Sequence, residues 1–209
     1  MTKKICDLYQ LDGVDIDDFF IQDGKATVFG HLTNERSQCQ NCGSKHVIFN
    51  GVKDREFHLP STGSRKAVLK IKVHRNRCKD CDLTWWPQMP FADGKQRMSK
   101  SFVNYIIDLL EFATIKDVAD YLEITWDTVK DIHKADLRMK YQEIELKDVK
   151  YVSIDEISIS KGHKYMTVIA DLKTGRILHS VEGRKKSDIR SFLHILKKKH
   201  LTLKQLQWT

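Results

Sequence analysis

The 209-residue sequence has no hydrophobic run that approaches the roughly 20 apolar residues needed to cross a membrane. Its first residues, Met-Thr-Lys-Lys-Ile-Cys-Asp, also lack the apolar stretch of a secretory signal peptide. The sequence contains neither an internal repeat nor a low-complexity segment, and a hydrophobic content of 41% is ordinary for a globular protein. We therefore expect a soluble, cytoplasmic protein, in a compartment where disulfide bonds are rare.

The five cysteines consequently need an explanation other than disulfide bonding. Four of them form two Cys-x-x-Cys pairs separated by 35 residues, namely Cys39 with Cys42 and Cys78 with Cys81. This spacing lets two thiolates bind one ion from a tight turn, and two such turns complete a tetrahedral Zn²⁺ site. A redox motif is the alternative for a single pair, and two pairs without a βαβ pattern make it improbable. Four unliganded core cysteines are the other alternative, which this spacing disfavours. We predict a structural zinc ion, with Cys6 as a free buried thiol.

Positive charge is in excess and unevenly distributed. Lysine and arginine total 36 against 28 acidic residues, a net charge of +8, yet residues 1–38 carry four basic and seven acidic residues. Such an excess favours a polyanionic partner. The segment from Arg65 to Lys79 holds seven basic residues and no acidic one, and strict alternation in Leu69–His74 predicts a half-buried strand that exposes Lys70, Lys72 and His74. The predicted DNA contacts here are Arg65, Lys66, Lys70, Lys72, Arg75 and Arg77, although a basic run can also be merely a solvated face.

Between residues 99 and 140 the hydrophobic spacing becomes helical. Ser99, Thr114 and Thr125 can each cap a helix, and only Glu123 and Ile124 separate the second helix from the third cap. Two short helices joined so tightly form a helix-turn-helix pattern, although a plain helical hairpin would look the same. In a DNA-binding helix-turn-helix the third helix would enter the major groove. Its predicted DNA contacts are Trp126, Thr128, Lys130 and Lys134.

From Tyr151 the pattern returns to strands. Residues 151–155, Lys164–Ala170 and Arg176–Val181 are the predicted strands, with Asp171 in the loop before the third, and Ser187 can cap a following helix. The expected architecture is therefore multidomain α+β: a lead-in (1–38), a zinc ribbon (39–92), a helix-turn-helix domain (93–147) and the start of an α/β domain (148–209).

The order of these features resembles the ISL3 family of bacterial insertion-sequence transposases. The resemblance covers about residues 39–200 and is most specific in Asp155-Glu156, Lys161-Gly162-His163-Lys164-Tyr165, Thr174-Gly175-Arg176 and Glu182-Gly183-Arg184. It implies a catalytic domain of RNase H-like fold with a DDE triad, of which Asp155 matches the first acid. It also implies Mg²⁺ in complete members of the family, since carboxylates hold hard cations.

The resemblance also indicates what this sequence does not contain. The second Asp and the Glu of the family triad come from later elements, and Asp171, Glu182 and Asp188 do not stand in the expected context. We therefore expect three strands and one helix with an open sheet edge, a chain truncated within the DDE domain, and no transposition by this chain alone. Its remaining activity would be binding to double-stranded DNA at terminal inverted repeats, with a homo-oligomer or the full-length transposase as further partners. The alternative is a zinc-ribbon and helix-turn-helix regulator that represses transposition or transcription.

Overall fold

A computed structural model describes residues 2–93, 97–142, 146, 148–162, 164–185, 187–198 and 205–208. It divides into two compact units, Met1–Leu137 and Arg138–Thr209. None of the helices within these described ranges is long and apolar enough to span a membrane.

The first unit is built on a mixed sheet. After helix α1 (Thr2–Tyr9) come β1 (Val14–Gln22), β2 (Lys25–Leu32), β3 (Val47–Thr62), β4 (Arg65–Cys78) and the short β5 (Thr84–Trp85). The strand order is β1-β2-β4-β3, and β5 pairs with β4. Two antiparallel hairpins, β1–β2 and β3–β4, are thus joined by the parallel pairing of β2 with β4, which runs from Lys25 opposite Lys66 to Gly30 opposite Ile71.

Residues 14–32, which the sequence places in a lead-in, form two strands of the sheet that also carries the cysteine pairs. The second of these strands, β2, begins directly after the turn at Asp23 and Gly24. Strand β1 is not evident from the sequence because a bulge between Ile16 and Asp18 interrupts its register, which breaks the alternation of apolar and polar residues. Its side chains nevertheless join those of the other strands in one hydrophobic cluster that includes Val14, Val28, Phe57 and Leu69.

Strand β4 has the predicted alternation. Leu69, Ile71 and Val73 are buried, whereas Lys70 and Lys72 are exposed on the opposite face. His74 departs from the prediction, because it is half-buried, lies with Nδ1 2.7 Å from Glu35 Oε2 and stacks on Phe49 with ring centroids 4.6 Å apart.

Three helices follow the sheet: α2 (Lys100–Leu109), α3 (Ile115–Leu122) and α4 (Trp126–Lys140). All three predicted N-caps are confirmed. Ser99 Oγ accepts from the Phe102 N–H at 3.1 Å, and Thr125 Oγ1 accepts from the Thr128 N–H at 3.3 Å. Thr114 forms a reciprocal capping box with Asp117, in which each side chain accepts from the other residue's N–H at 3.2 Å.

These helices are attached to the sheet by buried and directional contacts. Ser101 Oγ donates a 2.7 Å hydrogen bond to the backbone carbonyl of Tyr9, and both residues are buried. The backbone of His58 pairs with that of Arg97 and Ser99, and its ring stacks on Phe102 with centroids 5.5 Å apart. The Lys66 ammonium, at the start of β4, contacts the Glu123 carboxylate in the turn before α4. The first residues of β4 and of α4 therefore lie close together.

The second unit contains β6 (Tyr151–Ser160), β7 (Lys164–Asp171), β8 (Ile177–Glu182), α5 (Arg190–Lys198) and β9 (Gln205–Trp208). The three predicted strands are present, in the order β8-β7-β6-β9. The expected total of three strands is wrong, because a fourth strand covers the edge of β6: β9 pairs parallel to β6 from Tyr151 opposite Gln205 to Ile154 opposite Trp208. A strand of four residues separated from the sheet by a helix carries too weak a local pattern to be recognised from the sequence.

The predicted cap at Ser187 is also wrong. Helix α5 begins only at Arg190, and the Ser187 hydroxyl donates to Asp188 Oδ1 at 3.0 Å instead. Asp188 Oδ2 accepts from the Lys185 N–H at 2.9 Å, so Asp188 closes a turn ahead of the helix. Ile189, Phe192 and Leu196 are nevertheless buried in the core of the second unit, whereas Leu193 is exposed.

Candidate metal centre and nucleic-acid interface

The four cysteines of the two Cys-x-x-Cys pairs converge on one point. The sulfur atoms of Cys39, Cys42, Cys78 and Cys81 all lie within 4.8 Å of one another and can hold a metal ion. The Cys39–Cys81 and Cys42–Cys78 sulfur separations are 3.4 and 3.6 Å. These are close to the spacing of about 3.8 Å that follows for a tetrahedral ion with sulfur ligands at about 2.3 Å.

Each cysteine pair lies in a loop with the same backbone hydrogen bonds. In the first loop the Cys39 N–H donates to the Ser44 carbonyl and the Gly43 N–H donates to the Cys39 carbonyl, both at 2.9 Å. In the second the Cys78 N–H donates to the Leu83 carbonyl at 2.9 Å and the Asp82 N–H to the Cys78 carbonyl at 3.1 Å. Gly43 and Asp82 occupy equivalent positions with φ of 70° and 59°. An aspartate can adopt this left-handed conformation, so the second loop forms without a glycine.

The cysteine thiols influence one another's acidity. The Cys42 backbone N–H lowers the pKa of Cys39, because it stabilises the thiolate. The Ser44 N–H acts in the same direction on Cys42, but the neighbouring sulfurs of Cys81, Cys78 and Cys39, together with burial, outweigh it and raise the pKa of Cys42 to about 12. One thiolate therefore disfavours the next in this cluster, and a divalent cation would remove that repulsion.

The lysines of strand β4 lie beside acidic residues of the neighbouring strand β3. Lys70 lies opposite Glu56 with Nζ 3.8 Å from Oε2, and Lys72 lies opposite Asp54. Near the cysteines, Arg77 binds Asp82 at 2.9 Å, and Arg75 Nε donates to the Asn50 carbonyl at 2.9 Å. Glu56 and Asp54 precede the basic segment in the sequence, and only the β3–β4 register places them beside the lysines. Arg65, which is exposed, has no acidic partner within the described ranges.

Helix α4 exposes two of the four side chains that the sequence assigns to DNA contact and half-buries the other two. Trp126 is 48% exposed, and Lys134 is exposed two turns further along. Thr128 and Lys130 are half-buried, and Val129 and Ile132 are buried against the other helices. The Lys130 ammonium lies 2.6 Å from Asp127 Oδ1 and 4.6 Å from the centre of the Trp126 ring. The pKa of Lys130 is raised, because Asp127 stabilises its protonated form.

Asp155 occupies the exposed face of strand β6. It lies opposite Val168 of β7, between the buried side chain of Ile154 and the half-buried Glu156, and its Oδ1 accepts from the Glu156 N–H at 2.8 Å. The carboxylate of Glu182 is on the same face but two strands away and two residues along, which corresponds to more than about 10 Å. Asp155 is thus accessible and separated from the other described acids of its face.

The other residues that the sequence singles out in this unit have mixed outcomes. Asp171 is confirmed as a turn residue, since its carboxylate accepts from the Lys173 N–H and from the Thr174 hydroxyl, and the latter contact above all lowers its pKa. Arg184 lies over the Tyr165 ring at 4.8 Å. Lys161 is exposed in the β6–β7 turn. His163 lies outside the described residues.

Comparison with known proteins gives a consistent picture. A family model for the helix-turn-helix domain of ISL3 transposases matches residues 87–135, and an ISL3 transposase model of the DDE type matches residues 152–207. The transposase for insertion sequence element IS1001 of Bordetella parapertussis is 28% identical over 159 residues, which are 76% of this chain and 39% of that protein. The transposase for IS1557 of Mycobacterium tuberculosis is 24% identical over 163 residues, 76% of this chain and 36% of that protein. The chain therefore spans about two fifths of the length of these relatives. No solved structure matches.

Proposed function

We propose that this chain, which carries matches to the helix-turn-helix and DDE domain models of ISL3 transposases, is the DNA-binding N-terminal part of an enzyme that mobilises an insertion sequence by Mg²⁺-dependent DNA cleavage and strand transfer. The observation that carries this proposal is the order of the two domain matches, helix-turn-helix before DDE, on a chain with one converging cysteine tetrad. A helix-turn-helix transcription factor has no use for the second of these domains, so a repressor of transposition is the stronger form of the alternative.

We propose that the metal bound by the four cysteines is a structural Zn²⁺ ion. All four ligands come from the protein and are sulfur, which is typical of structural zinc sites, whereas catalytic sites keep one position open. Bound zinc would hold the ends of β3 and β4 together beyond the last backbone pairs. The histidines near this region are engaged elsewhere, since His46 contacts Asp80 at 3.4 Å and His74 contacts Glu35.

We assign to Asp155 the role of the first catalytic acid in a complete DDE domain. The β-β-β-α order followed by a strand parallel to the first supports an RNase H-like sheet for residues 148–209. Two Mg²⁺ ions, when bound, activate the attacking oxygen and stabilise the leaving oxygen of the phosphodiester. Asp155 alone cannot hold two ions roughly 4 Å apart, and Glu182, Asp171 and Asp188 are too distant or already occupied. We therefore propose that the 209-residue chain by itself does not transfer DNA strands.

The expected DNA partner is the pair of terminal inverted repeats that flank the element, contacted by α4 and by cations of β4. The test uses the purified zinc-loaded chain and short duplexes that tile the DNA on both sides of its gene. We expect selective binding to duplexes from the two element ends, and no strand transfer in Mg²⁺. Binding to all duplexes with equal affinity would contradict the end-specific function, and strand-transfer products would contradict the assignment of inactivity. Selective binding to a promoter instead would favour the transcriptional regulator.

A further inference from the structure

We infer that the protein holds its DNA at two separate places, at the two ends of strand β4, and that Lys45 and Lys79 of the two cysteine loops form the second place. This inference rests on the DNA-binding function proposed above and specifies the surface that carries it. It also removes the middle of β4, including Lys70 and Lys72, from the interface.

The middle of β4 is nearly neutral because its cations lie beside acids of β3. Glu56 contacts both Lys70, at 3.8 Å, and Lys25 of β2, at 3.2 Å. Asp54 is the register partner of Lys72. A phosphate that approached this face would meet carboxylates as close to it as the ammonium groups. The attraction that drives counterion release from DNA is therefore small here.

The first contact place combines the start of β4 with the start of α4. Lys66 neutralises Glu123, an acid that stands three residues before Trp126 and would otherwise repel the phosphates beside the major groove. Arg65 is exposed immediately next to Lys66 and keeps its charge available. The hairpin end and the first turn of α4 thus present one surface, on which α4 reads base edges and Arg65 contacts the backbone.

The second contact place is created by the cysteine loops. Lys45 follows the first loop and Lys79 lies within the second, yet both line one shallow depression together with His46, Val47 and Ile48. The two lysines are exposed, and the Lys79 N–H donates to the His46 carbonyl at 2.9 Å, which ties the loops together. The two acids of the second loop are engaged, because Asp80 contacts His46 at 3.4 Å and Asp82 contacts Arg77 at 2.9 Å. This arrangement suits a phosphate oxygen and depends on both loops being closed.

The distance between the two places matches a dimension of DNA. Lys66 and Cys78 are 12 residues apart on one continuous strand, which corresponds to about 40 Å at about 3.3 Å per residue. One turn of B-DNA is about 34–36 Å. Two contacts separated by the length of β4 therefore fall on the same side of a duplex, about one helical turn apart.

Hydroxyl-radical footprinting and salt titration on the tiling duplexes test this arrangement. The tip variant is Arg65→Ala, the loop variant is Lys45→Ala with Lys79→Ala, and the matched control in the middle of the strand is Lys70→Ala with Lys72→Ala. All variants are compared as the whole zinc-loaded chain, after zinc content and circular dichroism have been shown to equal those of the parent. We expect two protected patches about one helical turn apart in the parent.

The variants should affect these patches separately. Loss of each phosphate contact should flatten the slope of log K against log salt by about 0.9. The slope of the loop variant should therefore be flatter by about 1.8, and this variant should lose only the protected patch that is distant from α4. The slope of the tip variant should be flatter by about 0.9, and only its protected patch beside α4 should weaken. The control should keep both protected patches and the slope of the parent. A control that flattens the slope as much as the loop variant, or a loop variant with an intact distal patch, overturns the two-place interface while DNA binding stands. A parent that protects no duplex overturns the DNA-binding function as well.

Discussion

Removal of zinc is the perturbation that best separates the contributions of metal and hydrophobic core in the first unit. The hydrophobic cluster of the sheet runs from Tyr9 to Ala92 and contains Phe57, Leu69 and Val73, but neither Cys39 nor Cys78, which are also buried. The metal end of β3 and β4 therefore has few apolar contacts of its own. We expect chelation to unfold the two cysteine loops while the rest of the sheet remains folded. Unfolding should therefore be confined to these loops and should not extend over the whole predicted ribbon, residues 39–92.

The magnitude of this effect follows from linkage. Zinc that binds only the closed loops stabilises them by RT ln(1 + [Zn]/Kd), about 4 kcal/mol when free zinc is about 1,000 times Kd. Four loop hydrogen bonds report on this equilibrium, those donated by the backbone N–H groups of Cys39, Gly43, Cys78 and Asp82. With the full stabilisation lost, their hydrogen exchange should accelerate by about three orders of magnitude.

Hydrogen exchange measured by NMR or mass spectrometry, with and without a chelator, is the assay. The amides in the Leu69–Val73 part of β4 should remain protected when zinc is removed. Cys78→Ser should reproduce the effect of the chelator. Cys6→Ser is the matched control, because Cys6 is not part of the tetrad; its thiol donates to the Val14 carbonyl at 3.3 Å and packs against the core of the sheet. Unchanged exchange at the four loop amides would refute the metal site, and uniform loss of protection throughout the sheet would refute the independence of its core.

Two further predictions concern packing and pH. A Cβ atom on Gly30 would lie 2.5 Å from the Asp15 carbonyl oxygen, so Gly30→Ala should lower the free energy of unfolding of the first unit by about 3 kcal/mol in denaturant titrations. Gly24 lies in the open turn of the same hairpin, so Gly24→Ala should lower it by only about 1 kcal/mol, because of the positive φ at that position. Equal losses in the two variants would contradict a steric collision at Gly30. Burial against Phe192 lowers the pKa of His179 below its ordinary value of 6.5, so the folded second unit resists protonation and should lose stability as the pH falls below about 6.5 towards the folded-state pKa. His179→Gln, which can keep the hydrogen bond to Ser191, should remove that part of the pH dependence, and an unchanged profile would show that another group is responsible.

Local chemistry was readable from the sequence where a single short segment determines the outcome. The caps at Ser99, Thr114 and Thr125 were predictable because a hydroxyl three residues before its N–H partner is a local signal. The convergence of the cysteines was predictable for a different reason, namely that one tetrahedral ion imposes the same requirement on two distant pairs. The cap at Ser187 failed because Asp188, the next residue, competes for the same turn.

Relations between strands were not readable, because register is set by partners far apart in the chain. The Arg65–Lys79 segment contains no acid, and it was this absence that made the whole strand look like a nucleic-acid surface. Glu56 and Asp54 belong to the preceding segment and reach Lys70 and Lys72 only through the β3–β4 pairing. Strand β9 was missed similarly, since its partner β6 lies about fifty residues earlier.

The parallel pairing of β2 with β4 has a consequence for synthesis on the ribosome. The β1–β2 hairpin is complete at Leu32, but its partner strand ends only at Cys78, 46 residues later. At roughly 5–20 residues per second, the nascent hairpin must wait roughly 2–9 s for that partner. During this interval the edge of β2 has no neighbour, and Phe20 and Ile21 are exposed even in the finished fold. Asp15, Asp17 and Asp18 of β1 give such a hairpin three like charges, and we expect this repulsion to oppose its pairing with copies of itself until β4 is complete.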